Sequence, residues 1–303
     1  MAVNPNIVDE SNLSESGLQT DVQSWGKIFW QRFKKNRLAI VGLIVIAILA
    51  VISVAAPWVA PYDRDKTDIY NRYAEPSQEH LLGTDDLGRD ILSRLIWGGR
   101  VSLTVGLVAV SISITLGMLV GALSGFFGGI VDTLLMRFTD IVISFPYLVL
   151  MIVIASILKP SIYNTMIALG AVSWPGTARL VRGEILSLKQ REFVEAAHSL
   201  GIKPGRLIVR HLLPNAFAPV VVAATLGVAG AILAEAGLSF LGLGVPQPIP
   251  SWGNMLNAAM RWKVMSKMLW MWIPPGIMVF LAVISINLVG DGLRDSLDPR
   301  LKQ

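Results

Sequence analysis

Long, almost uncharged apolar runs are the feature that most constrains how this chain can fold. A helix needs about 20 apolar residues to cross the hydrocarbon core of a bilayer. Runs of this kind occupy residues 38–60, 101–127, 141–158, 162–174, 216–238 and 269–289, the fourth being short unless it is extended to 161–180. An apolar content of 53% is also high for a soluble domain. The sequence therefore predicts an all-α polytopic membrane protein whose residues 38–290 form six transmembrane helices.

Lys and Arg positions predict the orientation of these spans, since cytoplasmic loops carry an excess of basic residues. If both termini are cytoplasmic, the inner segments hold 16 of the 26 Lys and Arg residues. We therefore expect a multi-pass membrane protein with outer loops at 61–100 and 239–268. The cytoplasmic parts would be a loop at 179–215 and a tail at 291–303. The net charge of +5 follows from these flanking residues, so no nucleic-acid partner is predicted.

The segment before the first span combines aromatic and basic residues. Residues 1–20 are polar and are expected to be a disordered tail. In 21–37, four apolar residues recur at helical spacing: Val22, Trp25, Phe29 and Phe33. Five basic residues lie among and after them. This pattern predicts an amphipathic interfacial helix with its apolar face in the lipid bilayer and its cations near anionic headgroups.

The sequence lacks the residue patterns that metal sites, ATP sites and ion-coupled transport require. There is no cysteine, and three widely spaced histidines predict no metal cluster. No glycine-rich phosphate loop is present, so we expect no ATP site of that type on this chain. Apart from Glu235, the spans are nearly free of the ionisable residues that secondary transporters use as ion or proton sites. A secondary transporter or an integral-membrane enzyme is therefore disfavoured, and the energy for transport should enter from another chain.

Small residues and prolines mark two further features of the spans. Gly117, Gly121 and Gly125 form a ridge that predicts close approach of another helix. The alternative is that this ridge forms a smooth wall of a substrate path. Near the outer end of the last span, Pro274 and Pro275 predict an interruption of the helical hydrogen bonds and a kink.

Residues 192–215, EFVEAAHSLGIKPGRLIVRHLLPN, are a charged stretch in an apolar chain. A first short helix is predicted by a stripe made of Phe193, Ala196, Ala197 and Leu200. Gly201 supplies a helix stop, and Pro204 suits the first turn of a second helix. The apolar side of that second helix would consist of Leu207, Ile208, Leu212 and Leu213. The pattern favours a helix–break–helix that docks a partner, the alternative being an amphipathic loop on the bilayer.

This stretch resembles the EAA loop of ABC importer permeases. In that loop, E-A-A is followed after three residues by Gly and after nine more by I-x-L-P. Here E-A-A begins at Glu195, Gly201 follows after the same gap, and L-P ends at Pro214, but His211 stands where the pattern has Ile. The H-L-L-P-N ending resembles the peptide branch of the family.

Three further stretches resemble the C-type permease subunit of dipeptide and oligopeptide ABC importers, a family that also includes nickel and glutathione importers. They are HLLGTDDLGRDILSRLIWGGRVSL (80–103), SFLGLGVPQPIPSWGNML (239–256) and NLVGDGLRDSLDPR (287–300), in the order of that family. The resemblance extends from about residue 25 to the C-terminus. It implies the type I ABC importer permease fold, a place in a bacterial cell membrane and peptide import, with nickel or glutathione as the alternative cargo.

The resemblance also implies partners and site residues. The partners would be a homologous permease completing a heterodimer, two cytoplasmic subunits that bind ATP and magnesium, and an external peptide-binding protein. No cofactor, metal or catalytic residue is expected on this chain. The ATPase-coupling residues would be Glu195, Ala196, Ala197, Gly201, Pro204, Arg210, Leu213 and Pro214. Candidates for an outer gate or a binding-protein contact are Asp85, Arg89, Asp90, Glu235, Pro248 and Trp252, for which turn formation or internal packing is the alternative role.

Overall fold

Helices joined by turns and irregular segments make up the chain in the computed structural model, which describes residues 25–297. The helices in chain order are α1 (Trp25–Lys35), α2 (Arg37–Val54), α3 (Ala56–Val59), α4 (Ile91–Phe127), α5 (Gly129–Ser144), α6 (Tyr147–Ile157), α7 (Ile162–Lys189), α8 (Glu192–Ser199), α9 (Pro204–Leu207), α10 (Leu213–Asn215), α11 (Phe217–Phe240), α12 (Trp252–Leu256), α13 (Trp262–Lys267) and α14 (Ile273–Leu297). No β-strand occurs between residues 25 and 297. The all-α prediction is therefore confirmed.

Four segments of the described chain are long and apolar enough to cross a membrane. They are α2, α4, α11 and the segment Leu269–Leu297 that contains α14. The bent pair α5 and α6 makes a fifth if it counts as one span. The remaining predicted span, the fourth, lies in α7, which is long enough at 28 residues but contains Pro175 and several charged residues. The helices are thus consistent with six spans, although composition alone identifies four or five.

Close contacts give the relative directions of the long helices. α4 and α7 are parallel, because Gly170 of α7 lies against Ile112 in the middle of α4, and Ile185, further along α7, lies against Gly125 near the end of α4. α11 is antiparallel to α4, and α2 is antiparallel to α14. We call the end of the bundle that holds residues 190–216 the inner end, and the end that holds 61–90 and 241–272 the outer end. Both α1 and the last turn of α14 lie at the inner end.

The glycine ridge of α4 is covered by α7. A Cβ atom at Gly121 would lie 2.8 Å from Cβ of Val181, and one at Gly125 would lie 3.0 Å from Cβ of Ile185. Side chains larger than hydrogen would force the two helices apart at these positions. The prediction of close helix packing is confirmed, and this face of α4 does not line a path.

The third predicted span, 141–158, is wrong as a single helix. α5 ends at Ser144, and α6 begins at Tyr147 at an angle of 89° to it. Pro146 causes the break, since it has no N–H to donate and it holds Phe145 in extended backbone (φ −85°, ψ 137°). With 11 residues, α6 is about 16 Å long and too short to cross the bilayer core by itself.

Other helix ends also differ from the sequence-based expectations. α4 begins at Ile91, so the last ten residues of the expected outer loop 61–100 are helical. Asp90 causes this early start, because its carboxylate accepts a hydrogen bond from Ser93 N at 2.8 Å and caps the helix. The kink predicted in the last span is wrong, since Pro274 and Pro275 lie in the first turn of α14, where a missing N–H costs nothing.

The predicted interfacial helix corresponds in part to α1, while residues 1–24 lie outside the described residues. Phe33 is buried and lies close to Gly292 of α14. Asn36 Nδ2 donates a hydrogen bond to Asp295 Oδ2 at 3.2 Å. The expectation that Phe33 faces lipid is therefore wrong, because this part of the apolar face packs on the protein's own last helix.

Candidate functional site

The segment from 192 to 215, which we call the docking segment, forms the predicted helix–break–helix. α8 ends at Ser199, and Gly201 follows with a φ of +70°, a left-handed conformation that favours glycine. Ile202 N donates to the carbonyl of Ala197 at 3.2 Å and closes the helix end. Pro204 begins α9, as the sequence predicts. The second helix contains a π-helical stretch, Ile208–Leu212, before α10, and the sequence did not predict it.

One face of the docking segment is buried against three long helices. The buried residues of the segment are Val194, Ala197, Leu207, Ile208 and Leu212. They share one apolar cluster with Val181 and Ile185 of α7, with Phe126 of α4 and with Val220 of α11. A displacement of the segment would therefore be transmitted directly to these helices, because closely packed interiors do not deform independently.

The other face of the docking segment is exposed and partly apolar. Phe193 is 41% exposed and Leu200 is 81% exposed. Ala196 lies between them on the same helical face and is also exposed, beside Glu195. Of the four described residues in the predicted stripe, Ala197 is buried and the other three are exposed. Most of the stripe therefore does not pack on the rest of this chain. An apolar patch bordered by charges is typical of a surface that another chain covers.

The remaining candidate coupling residues lie on the second half of the segment. Pro204, Arg210 and Pro214 are exposed, and Leu213 is partly buried. Gly201 is exposed at the junction of the two halves. All candidate coupling residues except Ala197 and the partly buried Leu213 are thus exposed on the docking segment, whereas their role in coupling stays a prediction.

Glu235 lies at the centre of a buried polar site at the outer end. Its side chain is completely buried in α11. Ser102 Oγ of α4 donates to Oε2 at 3.0 Å, and Ser239 Oγ donates to Oε1 at 2.7 Å. Both serines also accept backbone bonds, from Trp252 N at 3.2 Å and from Val245 N at 3.1 Å. The carboxylate therefore connects α4, α11 and the irregular outer segment 241–251.

Arg94 connects the same outer segment to the loop before α4. This guanidinium is buried and donates to the carbonyl of Pro248 at 3.3 Å and to the carbonyl of Arg64 at 3.1 Å. Its Nε atom is 3.6 Å from Asp85 Oδ2, which also accepts from Arg89 Nε at 2.7 Å. Charge-assisted bonds of this kind are stronger than neutral ones.

Asp90 was a candidate for the outer gate or a binding-protein contact, with turn formation as the alternative role. Its contacts agree with that alternative role. Its Oδ2 accepts from the backbone and the hydroxyl of Ser93, at 2.8 and 2.7 Å. Its Oδ1 is 2.9 Å from Nδ1 of His80, whose ring lies against Tyr62. These contacts, with those of Arg94 and Glu235, form what we call the outer network.

A cleft of about 730 Å³ opens at the outer end beside this network. Asp85, Arg89 and Pro248 line it, and an ion pair of 3.0 Å between Arg261 and Asp86 lies at its edge. Its apolar lining includes Met255, Met260 and Met271. The other three candidate outer residues, Asp90, Glu235 and Trp252, do not line the cleft. They are buried, as are Asp85 and Arg89, whereas Pro248 is exposed.

Sequence reasoning missed the partners of the candidate outer residues. Ser102 lies in the second predicted span, where a hydroxyl is not unusual, and it is 133 positions from Glu235. Ser239 is the first residue of the expected outer loop 239–268. Arg94 offered a weak signal, because an arginine inside an otherwise apolar helical run needs a partner. Among the described residues, no group of three or more His, Asp or Glu side chains is arranged to hold a metal ion.

Two family models match the chain. The one described as "Binding-protein-dependent transport system inner membrane component" covers residues 113–303. The one described as "N-terminal TM domain of oligopeptide transport permease C" covers residues 24–76. The two matches together include the docking segment, α11 and the first span.

Curated relatives are similar over nearly the whole chain. The dipeptide transport system permease protein DppC of Alkalihalophilus pseudofirmus is 44% identical over 93% of this chain and 92% of the relative. The oligopeptide transport system permease protein OppC of Haemophilus influenzae is 42% identical over 92% and 91%. The protein of the same name from Bacillus subtilis is 40% identical over 90% and 88%. The chain therefore belongs to the family of binding-protein-dependent transport system inner membrane components, the permease subunits of ABC importers, which transport substrates rather than catalyse reactions.

Proposed function

We propose that this protein forms half of the translocation path of an ATP-driven importer of dipeptides or oligopeptides. The observation that carries the proposal is the 40–44% sequence identity to permeases of dipeptide and oligopeptide transport systems over about nine-tenths of the chain. Nickel and glutathione remain alternative cargoes of the wider family, but none of these relatives is named for them. The missing phosphate loop agrees with ATP hydrolysis on other subunits.

The proposed complex contains this chain, a second homologous permease, two ATP-binding subunits that hold ATP and magnesium, and an extracytoplasmic peptide-binding protein. The docking segment would seat its exposed face, which includes Phe193, Ala196 and Leu200, in a groove of one ATPase. Glu195 and Arg210 would orient that contact, since charges at an interface set its register. The apolar exposure of the segment supports this assignment.

Coupling would follow from the two faces of the docking segment. ATP-driven closure of the ATPases would displace the exposed face, and the buried face would carry that displacement into α7 and α11 through Val194, Leu207 and Leu212. Rigid-body movement of packed helices is a common means of switching a path between two states. The chain would thus alternate between outward-facing and inward-facing states without covalent chemistry.

At the outer end, the cleft beside Asp85, Arg89 and Pro248 is the proposed contact for the peptide-binding protein. The outer network would hold this surface in shape while the helices move, because Glu235 and Arg94 attach the 241–251 segment to α4. Asp90, Glu235 and Trp252 do not line the cleft, so their part in this contact would be to support it.

The docking segment is proposed to face the cytoplasm of a bacterial cell, with both termini on the same side. Support comes from α1 and the end of α14, which lie with the docking segment at the inner end. It also comes from the excess of Lys and Arg in the inner segments.

Purification and reconstitution test the proposed function. The protein is extracted from its native membrane in mild detergent, and co-purifying ATPase subunits are identified. The complex and its binding protein are then placed in liposomes with labelled di- and oligopeptides. We expect uptake that requires ATP. Uptake that is driven by an ion gradient without ATP, or that survives removal of the ATPases, would refute the proposal.

A further inference from the structure

α5 is held on the bundle by little apolar packing. Of its 16 residues, all within the described part of the chain, Thr139 alone is buried. Ile130 and Leu134 are exposed, and Phe138, which is 55% exposed, stacks on the ring of Trp174 in α7. Yet α5 connects α4 to the bent helix α6, which lies beside α11. Polar contacts must therefore contribute much of what fixes its position.

Asp132 joins three helices at one carboxylate. Arg182 of α7 donates from Nε to Oδ1 and from Nη2 to Oδ2, both at 2.6 Å. Ser124 Oγ of α4 donates to Oδ1 as well. A bidentate guanidinium–carboxylate pair fixes both the distance and the orientation of its partners. The side chains of Asp132 and Arg182 are 19% and 34% exposed, so solvent screens the pair less than it screens a surface pair.

A second ion pair joins the same two helices and provides a natural comparison. Arg179 Nη2 donates a single bond of 2.7 Å to Asp140 Oδ1. These side chains are 52% and 47% exposed. An exposed pair with one bond contributes little to holding two helices together. The two pairs thus differ in geometry and burial but not in the helices that they connect.

The arginine of the first pair lies in the part of α7 that carries the docking segment. Val181 and Ile185, on either side of Arg182 in sequence, belong to the apolar cluster that buries Val194 and Leu207. The inner end of α7 and the docking segment are therefore one packed unit. Asp132 attaches α5 to that unit.

We propose that the Asp132–Arg182 pair, completed by Ser124, transmits movement of the docking segment to α5 and through it to α6. Asp132 and Arg182 are then positioning residues for transport. The inference rests on the proposed function, since it presupposes that ATPases displace the docking segment. According to this inference, α5 and α6 move together with the docking segment through the ion pair, while α7 and α11 move with it through apolar packing.

The test measures labelled peptide imported per ATP hydrolysed by the complete complex in liposomes. Asp132→Asn and Arg182→Gln each remove one charge of the pair, and Asp132→Arg combined with Arg182→Asp exchanges the charges. The matched control is Asp140→Asn. We expect the single changes to lower the ratio about tenfold, because a charge-assisted bidentate contact is lost. We expect the control to stay within about twofold of the unchanged complex, and the exchanged pair to recover most of the ratio.

Two results would overturn the inference. The first is an unchanged ratio in both single variants of a complex that imports peptides. The second is an exchanged pair that assembles but recovers nothing, since the residues would then act singly. If the single variants do not assemble, Asp132→Glu and Arg182→Lys keep the charges but disturb the bidentate geometry, and an unchanged ratio in both refutes the inference. An unaltered complex that imports no peptide with ATP contradicts the proposed function instead.

Discussion

The outer network and the docking segment hold most of the candidate functional residues, but they arrange them in opposite ways. In the outer network, Glu235 and Arg94 are buried and their hydrogen-bond partners belong to this chain. In the docking segment, Glu195, Leu200 and Arg210 are exposed. Buried polar groups that are satisfied internally fix a structure, whereas exposed apolar groups beside charges suit a partner. The outer network therefore maintains shape, and the docking segment is available for contact with another chain.

Removal of the Glu235 side chain should have the largest effect on stability. Glu235→Ala leaves the hydroxyls of Ser102 and Ser239 without their acceptor and creates a cavity. We expect a loss of about 2–4 kcal/mol in the free energy of unfolding. Glu235→Gln, which retains an acceptor and the volume, should lose less. Denaturant unfolding of the purified protein in detergent measures both losses. Equal stability of Glu235→Ala and the natural protein would show that the Glu235 contacts of the outer network do not stabilise the fold.

Arg94→Lys should have a smaller effect at the same end. Lysine cannot supply the planar fork that reaches the carbonyls of Pro248 and Arg64 together. A loss of about 1–2 kcal/mol is expected from these hydrogen bonds. Arg261→Lys is the matched control, since the Arg261–Asp86 pair is exposed and should change stability by less than about 0.5 kcal/mol. Equal effects of the two changes would contradict the distinction between the buried network and the cleft edge.

Gly201→Val should have a moderate effect on stability at the inner end. The φ of +70° at this position costs a side-chain-bearing residue about 1–2 kcal/mol. Because the substitution also changes the angle between α8 and α9, ATP-driven uptake should fall further than the stability does. Asn tolerates left-handed backbone, so Gly201→Asn is the control and should retain more uptake. Equal uptake in the two variants would show that the break between α8 and α9 is not required.

Leu200→Asp should have the smallest effect on stability, because the side chain is exposed in the isolated chain. A change within about 0.5 kcal/mol is expected for such a surface position. Uptake and ATPase coupling should nevertheless be lost, since a charge would enter the proposed ATPase contact. Val194→Asp gives the reverse control, because Val194 is buried and its replacement should destabilise the protein itself. Normal uptake in Leu200→Asp would favour a loop that merely lies on the membrane.

The two regions also differ in how far the sequence predicted them. The docking segment is local: Gly201, Pro204 and the apolar spacing specify its two helices within 24 residues, so its shape could be read in advance. The outer network is assembled from residues far apart in the chain, such as Ser102 and Glu235, and spacing carries no information about such contacts. The Asp132–Arg182 pair was missed for the same reason. The break at Pro146 was different, since the proline was visible and its effect on the third span was overlooked.

Chemical crosslinking in the assembled complex tests the central claim most directly. The natural chain has no cysteine, so Ala196→Cys and Leu200→Cys place single thiols on the exposed face of α8. A short bifunctional reagent that joins thiols to amines should link both positions to an ATPase subunit. The same thiols should react more slowly with a water-soluble maleimide in the complex than in the isolated permease. No link to an ATPase, together with equal maleimide reaction in the two states, would contradict the account.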